Sequence, residues 1–237
     1  MKMKRLFKGV ALVAAMFMMP TMASAQDKVE ASIGADIVSN FIWRGMKFGE
    51  AAIQPSMSVG YKGFAFEAWG SYGLTSMDDA KEVDLTLSYT TGGLTLGITD
   101  VFYVTGDDAP NYFMYETHKT NHTFEANIGY DFDIFSINAY TIFAGDDFNE
   151  KGKSNYSTYV EVAAPFTLGG LDWTATVGMV PMESVEFYET SGFAVTNLTL
   201  QAEKELKVTE SFSLPMFGAV TANPRTENVY LTFGVSF

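Results

Sequence analysis

Glu82-Val83-Asp84-Leu85-Thr86-Leu87-Ser88-Tyr89-Thr90 is the stretch on which the fold turns. Val83, Leu85, Leu87 and Tyr89 share one face of an extended chain, and Glu82, Asp84, Thr86 and Ser88 share the other. Ile53, Pro55, Met57, Val59 and Tyr61 alternate in the same way with Gln54, Ser56, Ser58, Gly60 and Lys62. Leu171, Trp173, Ala175, Val177 and Met179 do so with Asp172, Thr174, Thr176 and Gly178. Helical spacing is nowhere sustained, so the pattern predicts an all-β protein.

Working outward, strands are expected at about 29–44, 53–61, 64–72, 82–90, 94–104, 121–131, 134–144, 156–166, 171–180, 193–207, 212–221 and 228–237. Their connectors alternate in length. Tight ones fall at Lys62-Gly63, Thr91-Gly92-Gly93, Phe132-Asp133, 167–170 and 208–211, and longer ones at 45–52, 73–81, 105–120, 145–155, 181–192 and 222–227. That rhythm predicts an up-and-down antiparallel barrel of about twelve strands with both chain ends on the short-turn side.

The chain of 237 residues has no cysteine, which excludes disulfide scaffolds, thiolate-ligated metals and cysteine nucleophiles. Its formal charge of −13 argues against nucleic-acid binding, which relies on clustered Lys and Arg. Lys2, Lys4, Arg5 and Lys8 precede an apolar run, Pro20 and Ala23-Ser24-Ala25, so residues 1–25 are expected to be a secretory signal peptide. The mature barrel would then be 26–237, with 11 basic against 28 acidic residues and a charge of −17. The apolar run is shorter than the ~20 residues a membrane helix needs. An exported chain of this composition would enter a membrane only as a closed barrel.

Alternation leaves open which face is inside, because a soluble barrel hides its apolar face and a membrane barrel shows it to lipid. Three features favour lipid. Aromatic residues crowd both strand ends, with Tyr61, Phe64, Tyr89, Tyr130 and Phe166 near short turns and Phe41, Trp43, Tyr72, Phe102 and Phe143 near long loops. The strands have roughly the ten residues needed to cross ~25 Å when tilted. Val229 to Phe237 is apolar at every second position and ends on Phe237, which resembles the assembly signal of Gram-negative outer-membrane barrels.

A family resemblance follows from Asp36-Ile37-Val38-Ser39-Asn40-Phe41-Ile42-Trp43-Arg44-Gly45, together with Ile53-Gln54-Pro55 and Ala68-Trp69-Gly70-Ser71. This segment resembles the opening of the TorF-type porins and related outer-membrane proteins of Gram-negative bacteria. The match covers the first fifth of the mature chain, and the remainder agrees by architecture. The resemblance implies a porin-like barrel in the cell outer membrane. Short turns would face the periplasm and long loops the exterior. Its partners would be outer-membrane lipid, the barrel assembly machinery and small solutes or ions.

With apolar faces outward, the lumen would receive Glu30, Asp36, Glu67, Glu82, Asp84, Glu125, Asp131, Glu161, Asp172 and Glu203, against Arg44 and Lys62. Such a lining favours cations over anions, although the same acids also serve to hydrate a polar interior or pair across strands. Inward Trp69, Tyr140 and Tyr159 sit where they would narrow or close a twelve-stranded lumen. Arg44, at the top of the first strand, offers either a bidentate site for a carboxylate or phosphate solute or a salt bridge to the acidic wall.

No catalytic, cofactor or metal residue is expected. His118 and His122 lack an outward serine, since Phe124 takes the adjacent position. Gly106-Asp107-Asp108, Gly145-Asp146-Asp147 and Asp78-Asp79 lack the spacing of a calcium loop and read as solvated. Asp100 falls among outward Leu96, Ile98 and Phe102, so a bulge near Thr99 or Asp100 is expected to turn it inward. Val38 and Ile42 face inward, which marks a dry patch, a bulge or contact with a folded-in loop.

The expected function is a passive outer-membrane channel for small solutes with a cation preference. The alternatives are a closed barrel acting through loop residues Tyr112, Phe113, Met114, Tyr115, Phe187 and Tyr188, and an interfacial lipid enzyme.

Overall fold

Strands that are apolar on one side and hydroxylic or acidic on the other separate their two faces and leave no unpaired backbone edge when they close on themselves. In the computed structural model, whose described residues are 28–75, 79–105, 111–210 and 212–237, they do so. The expected signal peptide, Gly106-Asp107-Asp108 and Asp78 lie outside the described residues. In chain order the elements are β1 (Glu30–Val38), β2 (Phe41–Trp43), β3 (Met46–Gly49), β4 (Ala52–Tyr61), β5 (Phe64–Gly73), β6 (Lys81–Thr91), β7 (Leu94–Val104), β8 (His122–Asp131), β9 (Ser136–Gly145), β10 (Thr158–Leu168), β11 (Leu171–Val180), α1 (Val185–Tyr188), β12 (Ala194–Lys207), β13 (Ser213–Asn223) and β14 (Asn228–Ser236). β1 and β4 to β14 form one closed barrel of twelve antiparallel strands, each paired with its neighbour in sequence along the wall, and β2 with β3 forms a separate hairpin. Among the described residues no helix is long and apolar enough to cross a membrane.

The seam joins β1 to β14 through Asp36↔Ser236, Ile37↔Val235 and Val38↔Gly234. Phe237 N–H donates to the Ala35 carbonyl at 3.0 Å, and Ser39 N–H to that of Phe233 at 2.8 Å.

The barrel is apolar outside and polar inside. Ile33 is 83% exposed and Leu231 57%, whereas Thr221 is 0% and Thr99 2%. Rungs of hydroxyls line the inner wall, Thr86 to Thr99 at 3.0 Å and Thr199 to Thr221 at 2.8 Å. A water-soluble barrel buries the opposite face.

Two expectations are corrected. The first barrel strand ends at Val38, not near residue 44, because Phe41, Ile42, Trp43 and Arg44 are all buried as the chain turns into the barrel. Nor does a bulge turn Asp100 inward: β7 pairs without a register shift on either side, through Leu85↔Asp100 and Asp100↔Phe124. Its carboxylate stays outward because His122 answers it, Nδ1 to Oδ1 at 2.6 Å, and Tyr112 and Tyr115 of the following loop cover the ring. Register shifts occur instead at Phe124/Glu125 and Gly178/Met179.

Candidate functional site

The site begins with a two-residue turn. Trp43 pairs with Met46, and Arg44 and Gly45 between them have φ of 50° and 82°, the backbone of a type I′ hairpin. A non-glycine residue at positive φ costs about 1–3 kcal/mol unless its surroundings hold it there. Arg44 is held on every side. Nη1 and Nη2 donate to the two carboxylate oxygens of Glu125 at 2.6 and 2.7 Å, and Nη1 also donates to the Tyr188 hydroxyl at 2.5 Å. The guanidinium carbon lies 4.2 Å from the ring centres of Trp43 and Tyr140 and 4.8 Å from that of Tyr159. Arg44 and Glu125 are both about 5% exposed, so this is a buried bidentate ion pair framed by aromatic faces.

The tip lies inside the barrel against β12 and β13, three and two strands along the wall from β1. A Cβ on Gly45 would stand 1.9 Å from the Thr196 carbonyl oxygen, so only glycine lets the turn lie against β12. Asn223 of β13 donates from Nδ2 to the Gly45 carbonyl at 3.1 Å. At its base the hairpin is tied to the second long loop, where Ala80 N–H donates to the Phe48 carbonyl at 3.2 Å.

Two further loops complete the enclosure. Ser184 caps α1, its hydroxyl accepting from Tyr188 N–H at 3.3 Å while meeting the Ser157 hydroxyl at 2.6 Å. Asp147 accepts from Ser157 N–H at 2.8 Å and from its hydroxyl at 2.6 Å. That chain of bonds turns Tyr188 into the barrel, where burial pushes its phenol up and keeps it a neutral hydroxyl beside Arg44. The Tyr159 hydroxyl accepts from Asn197 Nδ2 at 3.0 Å, and Gly178 leaves room for the ring, since a Cβ there would fall 1.9 Å from that oxygen. Phe41, Trp43, Trp69, Tyr140, Tyr159, Val180 and Tyr188 form one buried cluster at the long-loop end, with Met46, Phe48 and Phe187 packed on it.

The ten acids expected in the lumen divide by depth. Asp36, Glu82, Asp84, Glu125 and Glu161 are buried on inward-facing positions, Glu30, Glu67 and Glu203 are half-buried, and Asp131 and Asp172 are exposed near short turns. The two exposed acids are engaged locally. Asp131 accepts from Asp133 N–H at 2.8 Å, and Asp172 from the Thr167 hydroxyl at 3.1 Å. Among the described residues the lumen interior is therefore acidic around one buried arginine.

Of the two alternatives left open for Arg44, the structure shows the salt bridge to the acidic wall, with three of its N–H groups donating to Glu125 and Tyr188. Three other sequence expectations change here. Lys62 is not in the lumen but at an exposed turn, its Nζ 5.3 Å from the centre of the Tyr61 ring. Tyr188, expected on an outer surface, is 2% exposed. Asp147 is not a solvated loop carboxylate but a buried staple between loops. Phe41-Ile42-Trp43, three successive apolar residues that break the alternation, was the signal for the inserted hairpin.

On the outer wall, both His122 ring nitrogens face acceptors, Asp100 at 2.6 Å and the Tyr112 carbonyl at 2.6 Å, which ties the third long loop to β7 and β8. Among the described residues no group of three His, Cys, Asp or Glu side chains is placed to hold a metal ion. In comparison with known proteins, no family model and no curated protein matches the chain.

Proposed function

We propose that the protein is a porin-like channel of the cell outer membrane, passing small solutes passively with a preference for cations, its long-loop end narrowed by the inserted hairpin. The observation that carries this reading is the inverted barrel: Leu87, Ile98, Ile128 and Leu231 lie exposed outside while Asp84, Glu125 and Glu161 are buried inside. An apolar belt on closed strands is what hydrocarbon tolerates, since no backbone edge is left unpaired. Carboxylates lining a low-dielectric passage concentrate cations. The expected signal peptide and terminal aromatic strand agree with export and assembly into that membrane.

Purified protein in a planar bilayer should therefore conduct. Its reversal potential across a KCl gradient should favour K⁺, less so at high salt as the Debye length falls. Neutralising Glu82 and Asp84 together should reduce the preference, and an anion preference would contradict the proposal. On intact cells a cysteine at Lys151 should react with an impermeant label and one at Gly169 should not.

The aromatic cluster around Arg44 favours a second reading, a barrel closed at rest. Conductance that appears only when the hairpin is released would select it.

A further inference from the structure

The groups that hold Arg44 belong mostly to the barrel and not to the hairpin. Glu125 comes from β8, Tyr140 from β9, Tyr159 from β10 and Tyr188 from α1, whereas only Trp43 travels with Arg44. Taken without the hairpin, these four groups form a receptor. Glu125 offers two oxygens spaced for the parallel N–H pair of a guanidinium, Tyr188 a third acceptor, and Tyr140 and Tyr159 two ring faces. The shape selects a planar fork, because a compact ammonium cannot make the paired bonds or stack between rings. Glu161, within hydrogen-bond reach of Tyr140 and Tyr159, adds negative charge beside them.

Arg44 reaches the receptor on a turn that holds a non-glycine residue at φ 50°, and apart from Arg44 the hairpin's polar ties include single bonds, from Asn223 of the wall to Gly45 and from Ala80 of the second long loop to Phe48. From this geometry we infer that the lumen carries a binding site for guanidinium-bearing solutes, occupied in the free protein by its own Arg44 as a built-in competitor. The inference deepens the channel reading by naming a solute class. It rests on that reading only for the route by which the solute arrives.

The test measures binding, not conduction, so the two fail separately. Full-length barrel in detergent is titrated calorimetrically with ethylguanidinium, the fragment that Arg44→Ala removes, and with ethylammonium as the control, folding being checked by heat-modifiable gel mobility. Arg44→Ala should bind ethylguanidinium at least about tenfold more tightly than the parent, in which Arg44 competes, and about tenfold more tightly than it binds ethylammonium. Adding Glu125→Gln to Arg44→Ala should weaken binding by about tenfold or more. Folded Arg44→Ala that does not distinguish the two cations, or is indifferent to Glu125→Gln, overturns the inference. If Arg44→Ala does not fold alone, refolding is run with each cation in turn. Recovery with ethylguanidinium only supports the site, and equal recovery, or none, with both cations overturns it.

Discussion

Two hairpin tips in this molecule have nearly the same local structure and opposite fates. Trp43-Arg44-Gly45-Met46 and Tyr61-Lys62-Gly63-Phe64 both place a basic residue and a glycine at the centre of a type I′ turn, with φ of 50° and 82° in the first and 50° and 86° in the second. In both, the cation lies over the preceding ring, at 4.2 Å for Arg44 and 5.3 Å for Lys62. Yet Arg44 is 6% exposed inside the barrel, while Lys62 sits in the open at a short turn. Local sequence therefore sets the turn but not its destination. The destination is set by what meets the tip: a carboxylate, a hydroxyl and two more rings draw Arg44 inward, whereas Lys62 stays at an exposed turn.

Truncating both cations should separate the two turns most clearly. Arg44→Ala leaves Glu125 buried without its partner and should destabilise the barrel by about 3–5 kcal/mol. Lys62→Ala should change stability by about 0.5 kcal/mol or less, as expected of a surface substitution. The midpoint of heat-induced loss of the compact gel form, compared at matched detergent, reads both. Equal midpoints would mean that the buried pair does not hold the hairpin.

A smaller effect is expected from Tyr188→Phe, which keeps the ring in the cluster and removes the hydroxyl that accepts from Arg44. A hydrogen bond to a charged donor contributes about 1.5–3 kcal/mol, so the midpoint should fall by less than for Arg44→Ala. No change would place the anchoring in Glu125 and the rings alone. Smaller again, Asn223→Ala removes the bond to the Gly45 carbonyl and should cost about 1 kcal/mol. Its more telling readout is faster hydrogen exchange at the amides of β2 and β3, and at Arg225 and Thr226 whose N–H groups donate to Asn223 Oδ1 at 3.0 and 3.3 Å, while the strands β12 to β14 stay protected. Uniform loss of protection would show that the hairpin and wall open as one unit.

The barrel itself was legible because its physics is local and repeated. From Glu82 to Thr90 every second residue carries the same instruction, and the tight and long connectors keep time with it around the ring, so the expected strand from 94 to 104 matches β7 end for end. The hairpin was only half legible. Phe41-Ile42-Trp43 breaks the alternation visibly, but the partners that draw it inward lie far along the chain, Glu125 at a separation of 81 residues and Tyr188 at 144. Charge counting predicts an acidic wall near Arg44, not which carboxylate will face it. Asp100 teaches the same point from outside. Its carboxylate was visible as an anomaly on an apolar face, and a bulge was the local remedy. The protein uses a non-local one, His122 under a tyrosine-bearing loop, and keeps its register. Tyr188 was misplaced for a related reason: an aromatic residue in a polar loop reads as exposed unless the Asp147-Ser157-Ser184 bonds that turn it inward are known.

Whether the tip of the first long loop lies inside the barrel with its guanidinium held on the wall can be read from one atom group. Beyond Arg5 the chain has two arginines, Arg44 and Arg225. Nitrogen-15 side-chain NMR of the full barrel should therefore resolve them without ambiguity. Arg44 should give separate Nη signals with slowly exchanging protons, shifted by the rings of Trp43, Tyr140 and Tyr159 and collapsing in Glu125→Gln, while Arg225 gives a single averaged signal. Two averaged, rapidly exchanging guanidinium signals in the folded parent would show that Arg44 is not held inside the barrel.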